Sequence, residues 1–397
     1  MNNLNTSVHD SPTLLEGDFE STMKFKAIPF WEGTQTAPGV RRFLPFELNS
    51  KLNHPLRQVT SEEMIDSVVS AYQASDYTFI TPPPGASQWA DSLGEAYFGV
   101  VKKVIGTGTA KTVLEIGGGS TWIARRLLMD YHPVSYVLVD PSVRDTAEGV
   151  DVVHDYFPTP QLLGRQFDLV LGFNVLEHVP DPLSFLCSIR KQLTSDGKAA
   201  LVFPDCERQL LQGDLNVFVH EHINYFTEAS SRKLVSEAGF NVIDFLREND
   251  AFTLILGIDR AAEAEHALNE LELIRSSSYA FQNLLINVTE NLKGYLNKGG
   301  AVGFHGATPG LNTFFFITGL GNHPNVFLYD ADLSKEGRYL PACKKCIMSP
   351  EDQSYSKNSV LVVSAITFFE QIRRFAIEKA RFSESQIIPL IGMNLWC

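Results

Sequence analysis

Residues 113–121 read Val113-Leu114-Glu115-Ile116-Gly117-Gly118-Gly119-Ser120-Thr121, an apolar run that enters three consecutive glycines and leads into a helical stretch from about Trp122. A strand, a tight glycine turn and a helix, in that order, open a nucleotide-binding α/β unit. Glycine is required there because a Cβ would obstruct both the turn and the approach of a ligand to the backbone. The spacing departs from the Gly-x-Gly-x-x-Gly of dinucleotide sites. The strand also carries an acid, Glu115, which suits the ammonium of a zwitterionic ligand better than a pyrophosphate. Glu115, Gly117 and Gly119 are the first candidate binding residues.

Outward from this stretch, β-branched runs at 112–116, 135–140, 151–153, 167–173 and 198–203 alternate with helical segments. Alternation of this kind predicts a parallel sheet with helices on both faces. Runs at 241–246 and 252–257 are expected at its edge. The second run ends in Asp140, about 20 residues past the glycines, where an acid conventionally takes the hydroxyls of a ribose. After the third run comes His154-Asp155-Tyr156-Phe157. Asp155 is the candidate acceptor for an exocyclic adenine amine, with Tyr156 or Phe157 as an aromatic wall.

Towards the amino terminus, residues 1–19 are polar and aperiodic and read as a leader without structure. Residues 25–80 read as a small arm with one helix at 61–72, and Thr81-Pro82-Pro83-Pro84-Gly85 ends it, because proline removes donors and fixes φ. Towards the carboxyl terminus, residues 261–296 are helical throughout. After Gly299-Gly300 a second α/β rhythm follows, with strands at 301–304, 325–330, 359–364 and 386–390 and an amphipathic helix at 368–379. The expected organisation is an arm over 1–84, a ligand-binding α/β unit over 85–260, a helical connector over 261–298 and a second, smaller α/β domain over 299–397 for the reaction partner.

Charge narrows the partners. With 33 Lys+Arg against 46 Asp+Glu the net charge is −13, so no global positive field gathers nucleic acid. No apolar run approaches the roughly 20 residues of a membrane helix. The amino terminus lacks a basic start and an apolar core, so a cytoplasmic location is expected. Five cysteines, Cys187, Cys206, Cys343, Cys346 and Cys397, are odd in number and scattered, which favours reduced thiols over a disulfide framework.

The glycine turn, Asp140 and the run Phe167-Asp168-Leu169-Val170-Leu171-Gly172-Phe173-Asn174-Val175-Leu176-Glu177-His178-Val179 resemble the successive motifs of class I methyltransferases. The resemblance implies a Rossmann-like sheet and S-adenosylmethionine as methyl donor. It places Asn174 beside the methionine part of that donor. Glu177 and His178 match the family's Glu-His pair, with His178 at a strand's carboxyl end, where open α/β sheets hold ligands.

His220-Glu221-His222-Ile223-Asn224-Tyr225-Phe226 is similar to the His-Glu-His segment, followed by Tyr-Phe, of the sugar C-methyltransferases. In that family this segment holds the catalytic base. The resemblance implies His222 as proton acceptor, Glu221 as its orienter or a substrate ligand, and Tyr225 as a substrate contact. An imidazole, with an ordinary pKa near 6.5, suits removal of a proton beside a carbonyl. His220 and His222 as metal ligands are the alternative, but residues two apart share a face only on a strand. No third ligand stands out in the sequence, and no metal is expected.

The resemblance extends over residues 85–389. Gly303-Phe304-His305-Gly306-Ala307-Thr308-Pro309-Gly310 and the run from Tyr329 to Pro341 look like signature stretches of the family's carboxyl-terminal domain, a second, smaller Rossmann-like unit. His305, Lys335 and Arg338 become candidate contacts to a diphosphate or sugar, and the glycine-bearing turn before a helix a candidate phosphate cradle. Three departures stand out. The family's amino-terminal zinc module of cysteine pairs has no counterpart before Cys187. Val219 replaces the tyrosine that usually precedes His-Glu-His. Cys343-Lys344-Lys345-Cys346 is an isolated Cys-x-x-Cys, read as incidental.

The expected activity is methylation of the carbon beside the carbonyl of a nucleotide-linked keto sugar. The alternatives are O- or N-methylation of another small molecule, and a non-catalytic protein that binds the donor or a sugar nucleotide. A dehydrogenase fits poorly, because Gly303, Gly306 and Gly310 lack the dinucleotide spacing.

Overall fold

A computed structural model describes residues 22–40, 42–50, 55–73, 84, 88–248, 250–258 and 270–393. The expected leader, nearly all of the triple-proline boundary, the start of the connector and Cys397 lie outside the described residues. A seven-stranded sheet has the order Asn241–Glu248, Ala251–Gly257, Leu193–Pro204, Phe167–Phe173, Thr112–Ile116, Ser135–Val139, Val150–Val153. The last five run parallel, and Ala251–Gly257 lies antiparallel to both its neighbours. Along the inner strands most residues are apolar because both faces are covered, with Glu115 and Asp168 as exceptions. Leu114, Ile116, Val137 and Val139 enter one core, and Val113, Tyr136 and Leu138 enter the other, as the two-residue period of a strand dictates. This is the class I methyltransferase Rossmann-like arrangement expected from the sequence.

A second, five-stranded sheet is wholly parallel, in the order Ile347–Met348, Val326–Tyr329, Val302–His305, Val360–Val363, Ile387–Pro389. Two helices, Glu270–Asn283 and Thr289–Asn297, lead into it, joined by a π-helical turn over Leu284–Val288. Among the described residues no helix is long and apolar enough to cross a membrane.

The sequence reading did not anticipate a third sheet. Strands Thr22–Pro29, Phe43–Asn49 and Leu56–Gln58 form an antiparallel meander, and its fourth strand is Asn224–Tyr225, taken from the His-Glu-His segment. Residues 206–225 therefore leave the seven-stranded unit and share one core with the arm, the connector helices and the second sheet. Phe218 is its hub, with ring centroids 4.8 Å from Phe25, 5.1 Å from Phe46 and 4.8 Å from Phe281. Beside it, the Asn216 amide accepts from Gly310 N–H at 3.0 Å and donates to Ser364 O at 2.9 Å, joining the first unit to the second.

Truncating a fully packed aromatic leaves a cavity and removes apolar contacts, at about 3–5 kcal/mol. Phe218→Ala should therefore lower the free energy of unfolding by about 3–5 kcal/mol in equilibrium denaturation. A loss under about 1 kcal/mol, the level of an ordinary substitution, would show that the three sheets do not depend on this ring.

Candidate active site

The glycine turn is built as its residues demand. Gly117 has φ +70°, and a Cβ there would lie 2.4 Å from Val175 Cγ2, so the end of the fourth parallel strand abuts the turn. Beneath it, Glu115 is buried and accepts from Tyr136 Oη at 2.6 Å. Burial pushes its carboxyl up to about 8, against the lowering effect of the tyrosine bond, so it is mostly protonated at neutral pH. A Cβ on Gly118 would stand 2.7 Å from Glu115 Oε1, which places this acid directly under the loop backbone.

Asp140 is anchored across the same turn. Its Oδ2 accepts Gly119 N–H at 2.9 Å, and Oδ1 accepts Ser142 N–H, Ser142 Oγ–H and Val143 N–H at 2.6, 2.7 and 3.2 Å. A carboxylate oxygen takes about two bonds, which leaves Oδ2 capacity for one further donor. Asp155 accepts Tyr156 N–H at 2.8 Å and Thr159 Oγ–H at 2.6 Å, and these bonds hold its carboxyl below the usual range. The Tyr156 side chain stands 70% exposed, whereas Phe157 packs edge-on to Phe185 with centroids 5.4 Å apart. Of the two aromatic candidates, Tyr156 is the more exposed.

Asn174 directly follows its strand with φ +53°, and its amide donates to Tyr97 Oη at 2.6 Å. Tyr97 stacks on Phe173 with centroids 5.0 Å apart. Burial, together with the Glu177 charge, holds the Tyr97 phenol well above its ordinary value. Tyr97 lies in a helix with no motif, so the sequence offered no signal for it.

Past Asn174, the 3-10 turn Leu176–His178 faces the His-Glu-His segment. Glu177 O accepts Ile223 N–H at 2.8 Å, and the Asn224 amide donates to Leu176 O and Val179 O at 3.1 and 2.7 Å. These bonds bring the two imidazoles together, with His178 and His222 centroids 5.0 Å apart. His178 Nδ1 sits 2.9 Å from Glu221 O, so Glu221 orients His178 through its carbonyl. Burial and the neighbouring His178 hold the His222 imidazole well below its ordinary pKa, so it is neutral with a lone pair to offer.

Glu177 is 1% exposed, and burial pushes its carboxyl up to about 7. The sequence reading had noted it as a family residue without assigning it a site role. Its side chain faces the histidine pair, with Oε1 3.8 Å from His178 Nε2.

His220 is not brought to this pair. Its ring lies in the arm's core, with centroids 5.6 Å from Phe30 and 5.7 Å from Phe46, and burial lowers its pKa to about 4. Tyr225 is fully buried, its Oη donating to Val219 O at 3.0 Å. Val219 is itself buried, so neither residue presents its side chain openly.

In the second sheet's domain the candidate contacts already have partners. His305 is buried and meets Tyr355 Oη at 2.7 Å, with burial lowering its pKa to about 4. Lys335 pairs with Asp330 at 2.9 Å, and Arg338 donates from Nε to Thr34 Oγ1 at 2.9 Å, tying the arm to this domain. The amides of the turn before helix Pro309–Thr318 are taken as well. Ala307 N–H donates to Asp330, Gly310 N–H to Asn216 and Leu311 N–H to Thr308. The expected phosphate cradle is thus filled by the protein's own acceptors.

Residues 91–244 match the family model described as a methyltransferase domain. Among curated proteins, the C-methyltransferase NovU of Streptomyces niveus is 24% identical over 199 residues, covering 46% of this chain and 47% of that protein. The chain thus spans about half the length of the curated relative it matches. Among solved structures, human N-acetylserotonin methyltransferase in complex with SAM aligns at 18% identity and a TM-score of 0.38, over 52% of this chain and 61% of that one. The mitomycin 7-O-methyltransferase MmcR aligns at 18% identity and a TM-score of 0.35, over 44% of this chain and 56% of that one. Taken with the strand order and the glycine turn, the family match makes the seven-stranded unit a methyltransferase domain whose methyl donor is S-adenosylmethionine.

Gly117→Ala would force a Cβ into Val175 and a side chain into a left-handed φ. It should weaken S-adenosylhomocysteine binding at least tenfold in calorimetric titration, and Asp140→Ala should do the same by freeing Gly119. Unchanged affinity in both variants would place the donor elsewhere.

Proposed function

We propose that the methyltransferase domain methylates a small-molecule acceptor at the carbon beside a carbonyl, the acceptor being a nucleotide-linked keto sugar, and that His222 takes the α-proton. The carrying observation is the pairing of His222 with His178 at the strand end that abuts the glycine turn. The description of NovU as a C-methyltransferase supports the choice of carbon as the methylated atom.

S-adenosylmethionine supplies a methyl on a sulfonium sulfur, which leaves without further activation. The protein therefore has to generate the nucleophile, align it and exclude water. His222 suits the first task because its neutral imidazole accepts the proton as the C–H electron pair moves to form the enolate. The enolate carbon then bonds to the methyl, and the C–S pair returns to sulfur. His178, held through Nδ1 by Glu221 O, walls the same side and orients the acceptor oxygen. Asp140 Oδ2 takes a ribose hydroxyl, Asp155 and Tyr156 receive the adenine, and Asn174 lines the methionine end. On the acceptor side, Lys335 and Arg338 supply positive charge for a diphosphate, each retaining donors beyond those used internally. Tyr225 and His305 act from the interior, as supports of the walls that carry these contacts.

Removal of a positioned base typically costs about 10²–10⁴-fold in rate. His222→Ala should lower turnover of a keto-sugar nucleotide by that factor and slow exchange of the acceptor α-proton for deuterium, while donor affinity stays within about twofold of wild type. Wild-type exchange in the variant would remove His222 from the proton-transfer step.

A further inference from the structure

We propose that Glu177, His178 and His222 form a site for one divalent cation of the zinc class, at the strand end that abuts the glycine turn. Their ligating atoms all lie within 4.8 Å of one another. Two imidazole nitrogens and one carboxylate oxygen are a donor set typical of zinc sites that keep an open position. Tetrahedral bonds of about 2.1 Å hold donors roughly 3.4 Å apart, so closing this cluster takes small side-chain rotations.

Two further observations point to a positive occupant. Both Glu177 side-chain oxygens are buried and have no hydrogen-bond partner among the described residues, a costly arrangement for a carboxylate unless something cationic meets it. His178 gives its Nδ1–H to Glu221 O, because a carbonyl can only accept, which leaves Nε2 facing Glu177 Oε1 at 3.8 Å. An imidazole nitrogen and a carboxylate oxygen facing each other at that distance leave room for a cation between them. A histidine that ligates a metal commonly donates its other N–H to a backbone carbonyl, which is the arrangement His178 has. The cluster is also braced from outside, by Ile223 N–H on Glu177 O and by the Asn224 amide on Leu176 O and Val179 O.

The functional consequence rests on the methyl-transfer reading above. A cation bound here takes the His222 lone pair, so cation and substrate proton compete for one nitrogen. The methyltransferase would then be held off by zinc and released by a chelator.

The test is calorimetric titration of the full chain, stripped with a chelator, with zinc chloride alone, followed by metal analysis after dialysis. One equivalent should bind with nitrogen and oxygen ligation in X-ray absorption. Glu177→Gln and His178→Ala should each weaken that binding by at least about a hundredfold, more than loss of an outer support does. Both variants should still titrate with S-adenosylhomocysteine, which reports that they fold. No saturable zinc binding overturns the site, as does binding unaltered in both variants, or binding abolished by Cys346→Ser. Turnover separates the two readings. Inhibition by one equivalent of zinc, reversed by chelator, supports both, whereas a requirement for zinc leaves the cation site standing and overturns His222 as the proton acceptor.

Discussion

Everything around the site depends on the short staple between the turn Leu176–His178 and the segment His222–Asn224. Three hydrogen bonds make it, one from Ile223 N–H and two from the Asn224 amide, and all end on carbonyls of the strand-end turn or its flank. Because Asn224 and Tyr225 are also the last strand of the arm's sheet, the staple couples the donor-binding sheet to a separate layer of structure. An imidazole on each side of one staple meets its partner without relying on a flexible loop, and alignment of this kind is where an enzyme with a preactivated donor gains most.

The energetic counterpart of this rigidity is a set of buried acids. Glu115 under the glycine turn, Glu177 behind the histidines and Asp214 beside the inter-unit amide all have carboxyls raised by burial, to about 8, 7 and 7. Two of them are satisfied by local donors, Glu115 by Tyr136 and Asp214 by Asn216. Among the described residues Glu177 has no such donor. Buried polar groups in folded proteins are nearly always paired, so this acid is the exception among the three.

The shared core gives the second sheet's domain its place. Phe218 packs against the arm and a connector helix while Asn216, two residues earlier, bonds to Gly310 and Ser364 of that domain. With Asn216 occupying the start of helix Pro309–Thr318, that helix end serves as a joint between units.

Both α/β sheets were legible in the sequence because their cause is local. A strand covered on two faces must be largely apolar, and a tight turn beneath a ligand must be glycine, so 112–121 announced the first unit and the run after Gly299-Gly300 the second. Asp140 was legible for the same reason, its distance from the glycines being set by one βαβ turn. The arm's sheet was not, since its strands pair with each other and with residues about 170 positions away, and no local period records such pairing. Nor did His220 and His222 differ in the sequence. The turn at 220–221, with His222 N–H on Val219 O, sends one ring between Phe30 and Phe46 and the other to His178. Composition and spacing determined which residue types reach this end of the sheet; only the packing of the arm decided which imidazole became core, which met His178, and that Glu177 would be buried beside them with no hydrogen-bond partner among the described residues.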